Sequence, residues 1–534
     1  MVLRWYRGRP AHPGSPASHA GQGSRSGNLV WPSTGRQTLG SAPGSERKSA
    51  CGRMSILQTR LGQIRGVDHR GCRVYLGVRY GEPPKRFHSP VMAGGWQGVW
   101  EANEFPNRAM QEDKGGMLGQ RIYGALSEDC LFMNIYTPGQ RSSGLVPVMV
   151  WIHGGGFRGG SGNEYDGSVL APQGNVVVIT LNFRVGAFGH LDLSDQGPEF
   201  EGSASNGFKD MILALNWIRQ NIEDYGGDPG NVTIFGESSG GSSVLGLLGA
   251  PAADCLFHKA IAHSATAAYR PSEDQSAAIA DRLKIDADAC AEHLMSMTAE
   301  EIVRSGLPAA ITVDGSVITK STADAIKARG EAGVPLIAGT NAREGTLYTL
   351  GKDEAQDHYP RLNDYLATDM LYGENPAWYQ AALREFYFEA SEGSIHEMIW
   401  TDMFRKICMD VAQLSALQGA GGWLYRFDLA PSLPETKHFG ATHSSEMAFT
   451  FNAFGNPDTP SRIFHDRRDP VVKDLALKWS GTLIEFVRSG DPNGAGLPEW
   501  RIYDDSRSCL ILDEYCYIAD DPDKRHREFW TAVN

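Results

Sequence analysis

Apolar and polar residues follow one another along the chain in a pattern that predicts strands and helices in turn. Three runs of strand length, rich in apolar and β-branched residues, occupy residues 129–138, 145–152 and 176–183. The third run is almost continuously hydrophobic, as expected for a strand that is buried on both faces. Residues 206–225 instead carry their apolar residues at helical spacing, and the sequence GGDPGN predicts the end of that helix.

Further strands are predicted on both sides of this helix. Residues 55–64 and 72–80 are typical of short strands separated by the polar turn GVDHRG, and later strands are expected at residues 232–235, 259–263, 334–340 and 423–429. Strands that alternate with helices predict an α/β fold: one large domain, residues 54–534, with a doubly wound, mostly parallel central sheet flanked by helices.

Eleven aromatic residues lie between residues 348 and 404, in a stretch with a helical pattern. One interpretation is that these rings only pack helices together. The alternative is that helical insertions place some of them over the active site as the walls of an apolar pocket, because ligand sites are usually lined in this way.

The first 53 residues differ in composition from the rest. They are rich in Gly, Pro and Ser and carry eight basic residues against one glutamate. Such composition predicts a disordered basic extension, although a true start at Met54 is a second interpretation. A secretory or transit peptide fits less well, because no apolar core follows the early arginines.

Charge and cysteine usage exclude several classes of function. The net charge of −13 argues against a nucleic-acid surface and against binding to anionic membranes. No run of 18 apolar residues is present, so no membrane span is predicted. The eight cysteines show neither a C-x-x-C pair nor the spacing of metal ligands, so no metal is predicted and free thiols in a reducing compartment are expected.

A candidate nucleophile lies in the sequence GESSGG, where Ser238 follows a predicted strand and precedes a segment with helical spacing. A strand, a sharp turn at a serine and a helix form a nucleophile elbow, in which the glycines on either side allow close backbone approach. A chain with 62 glycines can match G-x-S-x-G by chance. The rest of the chain must therefore supply a base, an acid and oxyanion donors.

Loops that follow two later strands contain the candidate acid and base. In open α/β sheets, functional groups gather beyond the carboxyl ends of the strands. The loop NAREG offers one carboxylate, Glu344, and the loop APSLPETKHFGATHSSEM offers His438 and His443. The order serine, acid, histidine is the order expected for this architecture. These loops alone do not decide between the two histidines.

Oxyanion donors are expected in HGGGF, residues 153–157, which directly follows the strand VPVMVWI. The residue after the nucleophile, Ser239, would supply another backbone N–H. A rival interpretation of Gly154, Gly156 and Gly159 is a dinucleotide-binding fingerprint. That motif must open a helix, and the sequence that follows is too rich in Gly, Ser and Asn to favour one. No cofactor is predicted.

Taken together, these segments resemble the type B carboxylesterase and cholinesterase family of α/β-hydrolases. The resemblance runs from about Met54 to the carboxyl end and rests on SEDCLFMNIYTP, VMVWIHGGGFRGGSG, LNFRVGAFG, the GESSGG segment, LIAGTNAREG, GATHSSEMAFTFNAFG and EFVRSGDPN. It implies a carboxylic ester hydrolase of the α/β-hydrolase fold that works through an acyl-enzyme and acts on small-molecule esters.

The resemblance assigns roles to particular residues. It implies Ser238 as nucleophile, His443 in its H-x-x-E setting as base and Glu344 as the orienting acid. The oxyanion N–H groups would come from Gly155, Gly156 and Ser239, and Glu237 and Ser264 are similar to positions that support the triad in the family.

Two departures from the family pattern refine this expectation. Secreted animal members pair the cysteine of SEDCL with one upstream, which the segment FPNRAMQEDKGG lacks. The chain therefore resembles the bacterial, para-nitrobenzyl esterase-like branch, with cytoplasmic location expected and periplasmic or secreted location left open. Cholinesterases place a Trp before SEDCL to bind a quaternary ammonium; here the loop is GQRIYGAL, so choline esters are not expected.

The alternatives are a hydrolase of carbamates, amides or thioesters with the same triad, and a non-catalytic binding protein of the cholinesterase type. The presence of all three triad residues disfavours the second. A monomer or a weak homodimer is expected.

Overall fold

The computed structural model describes residues 54–113, 122–140, 144–266, 269–271, 275–307, 309–349, 376–456, 459 and 462–533. The basic extension expected at residues 1–53 lies outside the described residues. So do residues 350–375, which form the first half of the aromatic-rich stretch between residues 348 and 404. So does part of the loop GQRIYGAL.

Within the described ranges, a thirteen-stranded sheet forms the centre of the molecule, with the strand order β1-β2-β3-β7-β9-β8-β10-β11-β14-β15-β16-β17 and β4 beside β2. The strands are parallel from β9 through β16, whereas β1, β2, β3 and β7 form an antiparallel ladder at one end and β17 is antiparallel to β16 at the other. The strands are β1 Met54–Thr59, β2 Gly62–His69, β3 Cys72–Arg79, β4 Val99–Glu101, β5 Arg108–Ala109, β6 Leu126–Ser127, β7 Phe132–Pro138, β8 Val146–Ile152, β9 Val177–Leu181, β10 Gly227–Glu237, β11 Lys259–His263, β12 Tyr269–Pro271, β13 Ile311–Val313, β14 Leu336–Asn341, β15 Gly422–Phe427, β16 Ser508–Leu512 and β17 Tyr517–Asp520.

Helices connect the strands and cover both faces of the sheet. The α-helices are Leu170–Gly174, Gly186–His190, Asn206–Asn221, Ser239–Leu247, Gln275–Leu283, Cys290–Ser296, Ala299–Ser305, Thr322–Arg329, Thr346–Thr349, Pro376–Phe386, Glu392–Leu417, Met447–Thr450, Pro470–Ser489 and Lys524–Val533. Short 3₁₀ turns lie at Gly162–Glu164, Ser194–Gln196, Pro198–Phe200, Ser203–Ser205, Ile222–Tyr225, Pro251–Ala253, Ala287–Ala289, Gly330–Ala332, Lys437–Phe439 and Arg462–Phe464. In the described ranges no helix combines the length and the hydrophobicity needed to cross a bilayer.

The core lies on both faces of the sheet, because successive side chains of a strand point to opposite sides. Val148 and Val150 of β8 pack with the helix Asn206–Asn221 on one face, whereas Met149 and Trp151 pack with the helix Pro470–Ser489 on the other. This double burial is why the central strands are almost continuously apolar, and it confirms the expected α/β-hydrolase architecture.

Three expectations for individual elements need correction. The strand expected at residues 55–64 is two strands, β1 and β2, which meet at a turn at Arg60 and Leu61, and much of GVDHRG belongs to β2. The α-helix expected at residues 206–225 ends at Asn221 and continues as a 3₁₀ turn. The strand expected at residues 232–235 is longer, because β10 runs from Gly227 to Glu237.

Candidate active site

Ser238 lies at the turn between β10 and the helix Ser239–Leu247, with φ 58° and ψ −127°. A positive φ is unfavourable for a residue with a side chain, and this strained geometry is the one that a nucleophile elbow requires. The Ser238 N–H donates to the carbonyl of His263 at 3.0 Å. A Cβ at Gly240 would lie 2.1 Å from the Ile152 carbonyl, and one at Gly236 would lie 2.6 Å from the backbone of Gly240. Only glycine therefore fits on either side of the serine.

Glu344 and His443 come together in a fully buried pair. The Nδ1 atom of His443 lies 2.6 Å from Oε2 of Glu344. The other carboxylate oxygen accepts hydrogen bonds from the Ser264 hydroxyl and the Asn341 N–H, each at 2.6 Å. These donors fix the carboxylate, which in turn fixes the orientation of the imidazole. His438, the other histidine that the sequence allowed, is exposed and packs against Phe439 instead.

Glu237 occupies the side of His443 that faces away from Glu344. Its Oε1 atom lies 3.1 Å from Nε2 of His443 and accepts a hydrogen bond from the Ser444 hydroxyl at 2.5 Å. Among the described residues, Nε2 of His443 has no hydrogen-bond partner, so the structure does not contain a hydrogen bond from Ser238 to the imidazole. Catalytic hydrogen bonds are often long or misaligned before substrate binds.

A third buried carboxylate, Glu446, completes this group and accepts a hydrogen bond from the Asn341 side chain at 2.6 Å. Burial opposes the charge of every member, but the three carboxylates together raise the pKa of His443 to about 9 despite it. Burial raises the pKa of Glu237, and burial together with repulsion from Glu237 and Glu344 raises that of Glu446 to about 8. Burial also acts to raise the pKa of Glu344, but attraction to His443 and the hydrogen bonds it accepts hold that pKa below its usual value.

Aromatic rings form a wall beside the imidazole. The Phe404 ring lies 4.5 Å from the His443 ring, and Tyr348 lies 5.6 Å from it while stacking on Trp400 at 4.4 Å. Of the aromatic residues expected to pack helices or line a pocket, Phe404 thus contacts the candidate base. Tyr379 packs instead against Phe529 of the C-terminal helix.

The glycine loop follows β8 and approaches the elbow closely. A Cβ at Gly154 would lie 3.1 Å from the Cβ of Ser238. Gly155 and Gly156 have φ values of 118° and 64°, and the Gly155 carbonyl accepts from the N–H groups of Arg158 and Gly159, each at 3.1 Å. In the described part of the chain the N–H groups of Gly155 and Gly156 donate no backbone hydrogen bond.

Ser239 is the first residue of its helix, where N–H groups lack an intrahelical acceptor. These three N–H groups are therefore candidates for the oxyanion donors. The rival dinucleotide interpretation fails on geometry, because only the short 3₁₀ turn Gly162–Glu164 follows the loop.

Several residues of the site escaped prediction from sequence. The Asn341 side chain donates to Glu446 and the Ser444 hydroxyl donates to Glu237, each more than 100 residues away in the chain. The Asn341 N–H also donates to Glu344. Arg405 donates to the carbonyls of Asn341 and Ala342 at 2.9 and 2.8 Å, directly before the loop that carries Glu344. Asn341 ends a strand and Glu446 completes the H-x-x-E pattern of His443, but Ser444 and Arg405 carried no signal of their own.

The family model described as the carboxylesterase family matches residues 53–530 of the chain. The chain belongs to this family. It is 33% identical over 496 residues to a para-nitrobenzyl esterase of Bacillus subtilis, a match that covers 89% of this chain and 98% of that protein. It is also 31% identical over 535 residues to the medium-chain fatty acyl-CoA hydrolase precursor of Anas platyrhynchos, covering 89% of this chain and 91% of that protein.

Solved structures show the same relationship. A carboxylesterase of Geobacillus stearothermophilus matches with a TM-score of 0.76 at 31% identity, covering 89% of this chain and 99% of that one. The expected membership of the carboxylesterase family, the α/β-hydrolase fold and the function of a carboxylic ester hydrolase are thereby confirmed. The roles of the individual site residues remain predictions.

Proposed function

We propose that this carboxylesterase hydrolyses small-molecule esters through a Ser238–His443–Glu344 triad. The Ser238 hydroxyl attacks the acyl carbon while Nε2 of His443 takes its proton, and Glu344 holds the imidazole in the tautomer that can accept it. The N–H groups of Gly155, Gly156 and Ser239 stabilise the negative charge that develops on the carbonyl oxygen. His443 then donates its proton to the leaving alkoxide.

A water molecule completes the reaction. His443 removes a proton from this water, which attacks the acyl-enzyme. The tetrahedral intermediate then releases the acid while His443 returns the proton to the Ser238 oxygen, so that both residues are regenerated. The observation that carries the proposal is the buried contact of 2.6 Å between His443 and Glu344, with Glu344 held by two further donors. Surface residues would not supply a fixed base in this way.

Thioesters are the second candidate substrate class. The similarity to a protein named a fatty acyl-CoA hydrolase favours them over carbamates and amides. The same triad would serve, since the acyl carbon is attacked in the same way and only the leaving group differs.

Short-chain p-nitrophenyl esters and an organophosphate test the proposal directly. The purified protein should hydrolyse the esters and gain a mass adduct on the peptide that contains Ser238, while Ser238→Ala should lose both. A wild-type protein without hydrolysis and without adduct would contradict it. A parallel assay with short-chain acyl thioesters distinguishes the two substrate classes.

We also propose that residues 54–534 form a single catalytic domain, that the protein is a monomer or weak homodimer, and that it works in the cytoplasm. The seven cysteines within the described ranges are free thiols, which supports a reducing compartment. A version of the chain that begins at Met54 should keep full activity. Light scattering would give the oligomeric state.

A further inference from the structure

Gln111 makes a two-point contact with the backbone of the glycine loop. Its Nε2 donates to the Gly160 carbonyl at 2.9 Å, and its Oε1 accepts from the Gly160 N–H at 2.8 Å. The same Nε2 also donates to the Ala109 carbonyl at 3.1 Å. The side chain is buried, with 6% of its surface exposed, so these bonds do not compete with bulk water.

Gly160 is in turn packed against the residues that carry the candidate oxyanion donors. A Cβ at Gly160 would lie 2.1 Å from the Gly154 carbonyl, and one at Gly155 would lie 2.2 Å from the Gly159 carbonyl. The start and the end of the loop are therefore in direct contact. A displacement of Gly160 toward Gly154 would therefore have to displace Gly154 and Gly155 as well.

The segment that carries Gln111 is itself fixed. Arg108 and Ala109 form β5, which pairs with β6, and the Arg108 side chain forms an ion pair with Asp113 at 2.5 Å. Gln111 thus connects the segment that follows β5 to the glycine loop. Four residues of this loop have positive φ, namely Gly155, Gly156, Phe157 and Gly160. Glycines adopt positive φ without strain but lose much conformational freedom when they are fixed, so such a loop needs contacts from outside to hold one conformation.

We propose that Gln111 is a positioning residue for the oxyanion hole. By holding Gly160 through both amide atoms, it sets the direction of the Gly155 and Gly156 N–H groups toward the developing negative charge. The inference rests on the proposed function, because it assigns to these N–H groups the oxyanion role. It predicts that loss of the Gln111 contacts raises the free energy of the transition state and hardly changes the affinity for the substrate.

Gln111→Met removes both hydrogen bonds to Gly160, together with the one to Ala109, while keeping the length of the side chain. We expect kcat for p-nitrophenyl butyrate to fall about 10- to 100-fold, which is no more than the loss on deleting one oxyanion donor. KM should change less than about threefold. The affinity for an aryl trifluoromethyl ketone, which forms a tetrahedral adduct with an oxyanion, should fall in parallel with kcat.

Gln173→Met is the matched control. Gln173 also uses both amide atoms, donating to Ser480 at 2.8 Å and accepting from Asn452 at 2.9 Å, in another part of the molecule. This variant should keep the wild-type kcat and ketone affinity. An equal loss of kcat in both variants, or an unchanged ketone affinity in Gln111→Met, would overturn the proposal.

Gln111→Glu tests the same contact within one folded protein. The carboxyl oxygen can still accept from the Gly160 N–H, but only the protonated form can donate to the Gly160 carbonyl. Activity relative to wild type should therefore rise several-fold as the pH falls from 8.5 to 5.5. A ratio that is constant with pH would contradict the role of the donated hydrogen bond.

Hydrogen–deuterium exchange separates this inference from the proposed function. Exchange of the peptide that covers residues 153–160 should be faster in Gln111→Met than in Gln173→Met, whether or not the protein hydrolyses esters. If the wild type hydrolyses the ester and Gln111→Met matches it in rate and exchange, the positioning role is wrong while the catalytic proposal stands. If the wild type is inactive but exchange differs, Gln111 does hold the glycine loop, but the oxyanion role and the catalytic proposal are both wrong.

Discussion

Two groups of charged side chains lie at the carboxyl edge of the sheet, one fully buried and one half-buried, and they differ in how acids and bases are balanced. Around His443, three carboxylates (Glu237, Glu344 and Glu446) surround one imidazole. In the second group, Asp523 contacts both Arg405 and Arg426, at 3.3 and 3.0 Å, and Arg426 makes a bidentate pair with Asp428 at 2.7 and 2.8 Å. The first group has an excess of acids, whereas the second has two cations for two anions.

The pKa directions follow from this difference in balance. Burial acts to raise the pKa of Asp523, but attraction to Arg405 and Arg426 outweighs it and holds that pKa below its usual value. Burial raises the pKa of Glu237, and in Glu446 repulsion from its acidic neighbours adds to that rise. The balanced group has fixed charges and serves stability. In the acidic group the pKa values of Glu237 and Glu446 are raised instead, a perturbation of the kind that is found at functional sites.

The largest expected effect is on the acid of the triad. Glu344→Gln should lower kcat/KM about 10⁴-fold, because an amide at this position no longer fixes the required tautomer of His443. Steady-state kinetics with a p-nitrophenyl ester measure the loss. The midpoint of thermal unfolding should move little by comparison. A variant that keeps a tenth of the wild-type activity would show that Glu344 does not orient the base.

A substitution in the balanced group around Asp523 should lower the stability of the fold rather than the activity. Asp523→Ala leaves Arg405 and Arg426 without their shared partner and should destabilise the fold by about 3 kcal/mol, with kcat changed less than about threefold. Urea unfolding measures the first quantity and ester hydrolysis the second. As a control, Asp466→Ala removes an exposed ion pair with Arg468 and should leave the unfolding midpoint unchanged. An equal loss of stability in both variants would contradict a stabilising role for the balanced group.

Glu237→Gln should change the pH profile of the enzyme. As the proposed base, His443 must be neutral to accept a proton, so we expect activity to be lost as pH falls through its pKa. Despite burial, the carboxylates raise that pKa above the ordinary 6.5, to about 9. Removing one of these charges lowers that pKa. The acid limb of kcat/KM against pH should therefore move about one unit or more toward lower pH. A limb that stays in place would show that Glu237 does not act on the imidazole.

The smallest expected effect concerns the aromatic wall. Phe404→Leu removes a ring 4.5 Å from the imidazole but keeps the site apolar. A decrease of kcat by about two- to fivefold is expected, because the imidazole loses part of its packing and keeps its hydrogen bond to Glu344. Phe388→Leu, at a ring with 78% of its surface exposed, is the control and should have no effect. A decrease of kcat by more than about a hundredfold would show that the Phe404 ring does more than pack against the imidazole.

The sequence predicted most of the sheet and the elbow because these depend on local signals. Apolar runs of strand length and the glycines around Ser238 require no knowledge of distant contacts. The strands β16 and β17 were missed because each is only four or five residues long and they lie among turn residues. The turn at Arg60 and Leu61 was missed because neither residue is a typical turn former, and Gly62 directly after it was included in the predicted strand.

The sequence did not predict those parts of the site that depend on contacts between residues distant in the chain. Glu344 and His443 could be proposed because each follows a strand that ends at the same edge of the sheet. Gln111 and Arg405 could not, because nothing in their own segments indicates that a loop of another strand lies beside them. The choice between His438 and His443 needed either the family resemblance or the burial that the structure reveals.

The contact between the elbow and the glycine loop also limits how this enzyme can change. The Gly240 backbone touches the Ile152 carbonyl and Gly154 touches Ser238, so neither loop has room to move without the other. Random substitutions in either loop should yield inactive protein rather than new specificity. Directed evolution of substrate range would therefore do better to leave these two loops untouched and to vary the aromatic wall, where side chains can change without moving the reactive atoms.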